Sequence, residues 1–246
     1  MATKAWHPTD VAAIRNGYWW VPNGISGLGG SSFKLIEQNQ HSSFDCIQAT
    51  VSQQPSVITS ANGNTQLRFA VTGDKRTKTA GSVTAGWSGN TYLGMWYRLP
   101  NGTPNNGTST IFAHQTASNG FRRITVISNG TTNSHQLNLS ADGTTVQSDI
   151  WADQGDSEWY WHEWIYTAGV GADHYRNLSV ITHTTTAINL ASLNDPSVPL
   201  AIGAGTAAGV NVNDHDIGPV FYCNGIPTLA ERGMLARHAP PVAVSF

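Results

Sequence analysis

The chain of 246 residues is short of charge: Lys, Arg, Asp and Glu make up 11% of it, and the formal net charge is −2. An ordinary soluble domain carries about 25%. A nucleic-acid partner is excluded on that ground, because such binding neutralises phosphates with clustered Lys and Arg. The basic cluster Lys75, Arg76 and Lys78, beside Asp74, reads as a solvated turn. Cysteine is scarce too. Cys46 and Cys223 alone make no zinc site, their spacing fits no redox motif, and they are expected to be two buried free thiols. No apolar run is long enough to span a bilayer, which argues against membrane insertion. The opening Met1 to Pro8 has no apolar stretch of the secretory kind, so no signal peptide is expected and the chain reads as made in a cytoplasm. What is present is Gly for turns, 25 of them, and aromatic area from nine Trp, seven Tyr and seven Phe. That much apolar surface orders a chain and excludes disorder.

Hydrophobic alternation has a period of two almost throughout. Leu93, Met95, Tyr97 and Leu99 fall on one face of a strand that Pro100-Asn101-Gly102 stops. Phe121 to Ser128 reads as another strand, closed by Asn129-Gly130, a strong hairpin signal. His135 to Ser140 repeats the pattern before Asp142-Gly143, as do Trp161 to Thr167 and Asn177 to Thr182. Turn signals recur every dozen or so residues without helices between strands, which excludes a βαβ arrangement and favours a sandwich. One helix is expected near the end, within Pro227 to Arg237, with Thr228 and Glu231 spaced as a capping box and Leu229, Met234 and Leu235 along one side. Residues 22–45, rich in Gly, Ser and Gln, read as an irregular surface excursion. The expectation is one all-β domain over residues 1–246, an antiparallel jelly-roll β-sandwich with one short C-terminal helix.

Three segments, in order, carry a family resemblance. Trp6-His7-Pro8, Tyr18-Trp19-Trp20, Gln48-Ala49-Thr50, Gln53-Gln54-Pro55 and Leu67-Arg68-Phe69 resemble the opening of phage and bacterial members of the concanavalin A-like lectin and glucanase superfamily, in its laminin-G-like branch. Trp161-His162-Glu163-Trp164 resembles that branch's Trp-His strand. Leu200 to Gly203, Ile217-Gly218-Pro219-Val220-Phe221-Tyr222-Cys223-Asn224 and the terminal helix resemble its close. The resemblance implies the concanavalin A-like jelly roll. It does not choose a function, since this fold hosts binding modules, enzymes and structural proteins alike.

Calcium-holding relatives commonly place an Asp where this chain has Gly218. Any Ca2+ here would therefore rest on the preceding loop, where Asn211, Asn213, Asp214 and Asp216 supply oxygens; the expectation is no cofactor. Glycosidases of this fold flank the scissile bond with two carboxylates, arranged in relatives as Glu-x-Asp-x-x-Glu. The nearest approach is Glu158 to Glu163, with Tyr160 where the central Asp belongs; no enzymatic activity is expected. Trp87, Trp151 and Trp159 sit near Gly or Asp turns and are the candidate stacking platforms for sugar rings, with packing in the core as the alternative. On a regular strand Trp159 and Trp161 share a face and Trp164 takes the other. Among the nine His, His174, His183 and His215 are candidates to meet in space.

Two readings follow. In the first the chain is a non-catalytic virion structural protein of a tailed bacteriophage, of the capsid-decoration or head-fibre type. It would be displayed in many copies on the virion surface after assembly in the host cytoplasm, and its partners would be capsid or tail proteins and surface glycans. In the second it is a carbohydrate-binding, lectin-like module. A glycosidase or polysaccharide lyase is the minority alternative.

Overall fold

The computed structural model describes residues 7–39, 42–70, 76–100, 108–115, 122–129, 134–152, 157–195, 197–203 and 214–245. In chain order it begins with helix α1 (Pro8–Ile14) and strands β1 (Tyr18–Ser26), β2 (Phe33–Glu37), β3 (Cys46–Gln48), β4 (Ser56–Thr59), β5 (Thr65–Phe69) and β6 (Thr77–Thr79). Next come β7 (Thr91–Arg98), β8 (Thr108–Gln115), β9 (Arg122–Asn129), β10 (Ser134–Leu139), β11 (Gln147–Ala152), β12 (Tyr160–Thr167) and β13 (Gly171–Arg176). The chain closes with β14 (Ser179–Ile181), β15 (His183–Thr185), β16 (Leu200–Ile202), β17 (His215–Asn224) and helix α2 (Leu229–Arg237).

Antiparallel pairing joins these strands into a sandwich. One layer runs β14, β13, β12, β7, β17, and the far edge of β17 is shared between β1 and β5, with β4 beyond β5. The other runs β3, β6, β16, β8, β9, β10, β11, β15. Strand β1 changes register between Trp20 and Ile25 and hands the chain to β2, which links the layers along one side. Alternate residues of both layers fill the space between them: Leu93, Met95, Tyr97, Trp164 and Tyr166 from one, Ile111, Val126, Leu137, Leu139 and Trp151 from the other.

Strands β7 and β17 are buried on both faces. Their outer face, with Tyr92, Trp96, Phe221 and Cys223, is roofed by Val11 and Ala12 of α1 and by Leu235 and Ala236 of α2. The Trp96 indole donates to the Ala236 carbonyl at 2.9 Å. Trp159 and Trp161 belong to this outer cluster and Trp164 to the inner one, the division the two-residue period predicts. The capping box of α2 forms as its sequence implies: Thr228 Oγ1 accepts from Glu231 N at 3.3 Å and Glu231 Oε2 accepts from Thr228 N at 2.6 Å. Leu229, by contrast, is exposed, so the docking side of α2 rests on Leu235 and Ala236.

Three expectations need correction. Residues 22–45 are not an excursion throughout, because they hold the second half of β1 and all of β2. In β2 Phe33, Leu35 and Glu37 face inward in strict alternation, a signal hidden by the neighbouring glycines. Helix α1 is a second short helix, started by a capping box between His7 and Asp10 with Pro8 in its first turn; seven residues are too few to show helical periodicity. The basic cluster is partly strand, for Thr77 and Thr79 of β6 are buried with Lys78 turned outward. Both cysteines are free and buried, Cys46 in the inner cluster and Cys223 in the outer. Among the described residues no helix is long and apolar enough to cross a membrane.

Candidate functional site

Glu163 lies on the outer face of β12, fully buried. The Tyr92 hydroxyl donates to its Oε1 at 2.7 Å, and Arg232 of α2 donates to both oxygens, from Nε at 3.0 Å and from Nη2. Burial first and this carboxylate second push the Tyr92 phenol well above its usual value, so it remains a donor. Glu158, by contrast, is exposed. The two carboxylates therefore do not face a common cleft, and Glu163 anchors the helix to the sheet.

The residues of the loop before β17 divide. Asn211 and Asn213 lie outside the described residues. Asp214 is partly buried at the start of the strand. Asp216 is buried and takes two guanidinium groups: Arg68 Nε and Nη2 donate at 2.7 and 2.9 Å, and Arg98 Nε donates at 2.8 Å. A carboxylate neutralised by two arginines has little left to attract a cation, so Asp216 is corrected from a calcium ligand to an ion-pair centre. Gly218 follows from packing: a Cβ there would stand 2.5 Å from Gln66 Oε1 and 2.8 Å from Trp96 Cβ. The space that an Asp would need is occupied.

Trp87, Trp151 and Trp159 are all buried and do not converge. Trp87 stacks near Tyr18 and Tyr222 and lies under the guanidinium of Arg123, 5.4 Å from its ring centre. Trp151 is enclosed in the inner core, and Trp159 carries the guanidinium of Arg98 at 4.9 Å. A sugar stacks on an open ring face, and each of these faces is already in use.

The open site lies at one edge of the sandwich, where the chain leaves β14 in one layer and enters β15 in the other. A groove of about 390 Å3 there is lined by Ala152, Arg176, Val180, Ile181, Thr182, His183 and Thr184. Its polar wall is built by strand parity. Arg176 lies on the inward parity of β13 at its last residue, so the guanidinium emerges at the rim, 4.6 Å over the ring of Tyr160. His183 Nε2 donates to the Ala172 carbonyl at 2.7 Å, and its ring packs 4.8 Å from Trp151. The lining offers one fixed cation, three side chains that hydrogen-bond and an apolar patch from Val180 and Ile181, with no carboxylate among them. Such a surface can hold a hydroxyl-rich or anionic ligand. Among these described lining residues no two carboxylates stand as an acid and base pair.

Beneath that edge three imidazoles meet. His135 of β10, His162 of β12 and His174 of β13 are buried, with ring centres 5.0, 5.3 and 5.2 Å apart. His162 Nδ1 and His174 Nε2 are 3.0 Å apart. Trp164 stacks on His174 at 4.9 Å, and Tyr97 meets His135 and His162 edge-on. Burial first and His162 next hold the His174 imidazole well below its usual range. Of the three histidines expected to meet, His174 and His183 share Trp151 as a neighbour. His215 instead hydrogen-bonds the Gly203 carbonyl at 2.9 Å and stacks on Phe69. The sequence signal for His135 and His162 was their inward parity, shared with Leu137 and Trp164; which inward residues meet across the layers is not written in either strand.

No family model matches the chain. No curated protein matches it either. Solved structures do share its fold. The binding domain of Paraclostridial Mosquitocidal Protein 1 superposes with a TM-score of 0.61 at 10% identity, over 93% of this chain and 52% of that one. The Botulinum Neurotoxin Type G receptor binding domain gives 0.55 at 12% identity, over 88% of this chain and 49% of that one. The binding domain of Botulinum Neurotoxin DC in complex with SialylT gives 0.59 at 8% identity, over 89% and 52%. This chain thus spans about half the length of these neighbours. At such identities the likeness establishes the fold, an antiparallel β-sandwich, and leaves function to the site.

Proposed function

We propose that the chain is a non-catalytic, lectin-like binding module whose edge groove takes a glycan, with acidic sugars preferred. The observation that carries this reading is Arg176, held over Tyr160 in a groove wall that also presents Thr182 and Thr184. A guanidinium pairs with a sugar carboxylate in two parallel hydrogen bonds, and the exposed valine beside it offers apolar contact to a ring. A neighbour of the same fold carrying SialylT makes sialylated glycans the first class to test. Glycan-array screening followed by calorimetry on the full chain decides. Binding to acidic glycans, weakened at least about tenfold by Arg176→Ala as loss of a charged hydrogen bond implies, supports the module. An array with no hits removes it, and release of reducing or unsaturated ends by the intact protein would replace it with a glycosidase or lyase.

The finer reading is a virion surface protein of a tailed bacteriophage, assembled in the host cytoplasm against capsid or tail proteins and presenting this module in many copies. The low charge of the chain, 11%, favours it, because neighbouring copies repel one another little. The laminin-G-like resemblance of the opening residues to phage members is its other support. Mass spectrometry of purified virions from the genome that encodes the chain is the test: its peptides in the particle support the reading, and their absence sinks it.

A further inference from the structure

We infer that His135, His162 and His174 form a zinc site that ties the two layers of the sandwich together. One ring nitrogen from each lies within 4.8 Å of the other two, and the closest pair, His162 Nδ1 and His174 Nε2, stands at 3.0 Å. Around a tetrahedral zinc with Zn–N bonds of about 2.0–2.1 Å, ligand nitrogens sit roughly 3.3 Å apart. The closest pair is already near that separation, and small ring rotations bring in the third. The His174 ring turns Nε2, not Nδ1, into the cluster, so its ligand nitrogen already faces the other rings.

The placement gives the ion its purpose. His162 and His174 stand as diagonal neighbours on the paired strands β12 and β13 of one layer, while His135 comes from β10 in the opposite layer. A metal bound by all three would be a cross-layer clamp in a region where the packing is otherwise flat aromatic rings, Trp151, Trp164 and Tyr97. Three neutral imidazoles suit zinc and its neighbours in the first transition row and not calcium or magnesium, which demand oxygen ligands. The fourth position falls to a water or to the phenol of Tyr97, whose ring packs against both His135 and His162.

The test is metal content of the full, tag-free chain expressed in zinc-supplemented medium and desalted without chelator. About one zinc per chain is expected, as is a loss of about 5–10 °C in Tm on chelation, the scale of a ligand held well below its concentration. Substitution with Co2+ should give the strong visible bands of tetrahedral nitrogen coordination. His174→Gln and His162→Gln should remove the metal. His238→Ala should keep it, because His7 and His238 form a separate pair 5.0 Å apart near the chain ends. A folded wild-type chain free of metal overturns the site whether or not the glutamine variants fold. Metal retained in His174→Gln, or lost in His238→Ala, overturns it as well.

Discussion

Glu163 and His114 show what burial does to single ionisable groups here. Glu163 has no exposure and three donors from Tyr92 and Arg232, so its charge is matched and both of its oxygens are hydrogen-bonded. Removing one member of such a pair leaves the other charge buried and uncompensated, at a cost of about 3–5 kcal/mol. Glu163→Gln is therefore expected to lower the unfolding free energy from urea titration by that order, with a lower midpoint, and adding Arg232→Met should recover part of it. An unchanged midpoint in the single variant would show that the pair does not hold α2 to the sheet. His114, buried with Nε2 3.1 Å from the Val83 carbonyl, is held down at about 4 by burial first and Arg123 second. In the unfolded chain the same group titrates near 6.5. Between those values the unfolded chain binds a proton that the folded one refuses, so stability rises with pH there. The contribution is complete above about 6.5 and is lost as pH falls towards 4, up to about 3 kcal/mol in all. His114→Gln should flatten that part of the slope when unfolding is compared at pH 7.5 and pH 5. Equal slopes in the two proteins would refute it. Neither role was legible in the sequence: alternation tells that Glu163 and His114 fall on a given face, but not that a helix lands on one or a guanidinium lies near the other.

Strands were the most readable elements because alternation reports burial directly. β7, β10 and β12 stand where their apolar parity puts them, and the β9–β10 hairpin follows its Asn-Gly signal, with Asn129 opposite Ser134. Short elements escaped for a physical reason. Strands β3, β6 and β15 have three residues each, too few for a period to emerge. They are held by neighbours that only the folded topology supplies. Gly218 sits between these cases. Its departure from the calcium-binding pattern was visible in the sequence, and its cause was not. Strand β17 shifts register between Ile217 and Val220 against β7, and the shift carries residue 218 against Gln66 and Trp96. Restoring the acidic residue with Gly218→Asp should thus cost about 1–3 kcal/mol through crowding and create no calcium site. Thermal unfolding with and without Ca2+ reads both: a calcium-dependent rise in Tm in the variant would show that the space and the missing ligands exist after all.

At the scale of the whole molecule, the sandwich class was legible and the order of its strands was not, since pairing partners are set by packing between segments far apart in sequence. The chain ends make the same point with a consequence. Apolar ends such as Trp6 to Trp20 and Ala239 to Phe246 either dock on a neighbour or pack on their own domain. Here α1 and α2 lie on the outer face of β7 and β17, and Val242 and Val244 pack against the same cluster. The tail is thereby committed to its own domain, and whatever association the low charge permits must use other surface. The edge strands provide it: β4 and β14 leave Val57 and Val180 exposed, and among the described residues each strand pairs on one side alone, which is where sheets add partners. Deleting the last six residues should therefore lower Tm while leaving the sedimentation behaviour of the protein unchanged. Replacing Val57 and Val180 with Lys should do the reverse, reducing any concentration-dependent association at little cost in stability. Ultracentrifugation of the three forms across a range of concentrations separates the surfaces. If the intact chain is a strict monomer at every concentration, display in many copies must come wholly from another protein, and the solitary binding module is the better description.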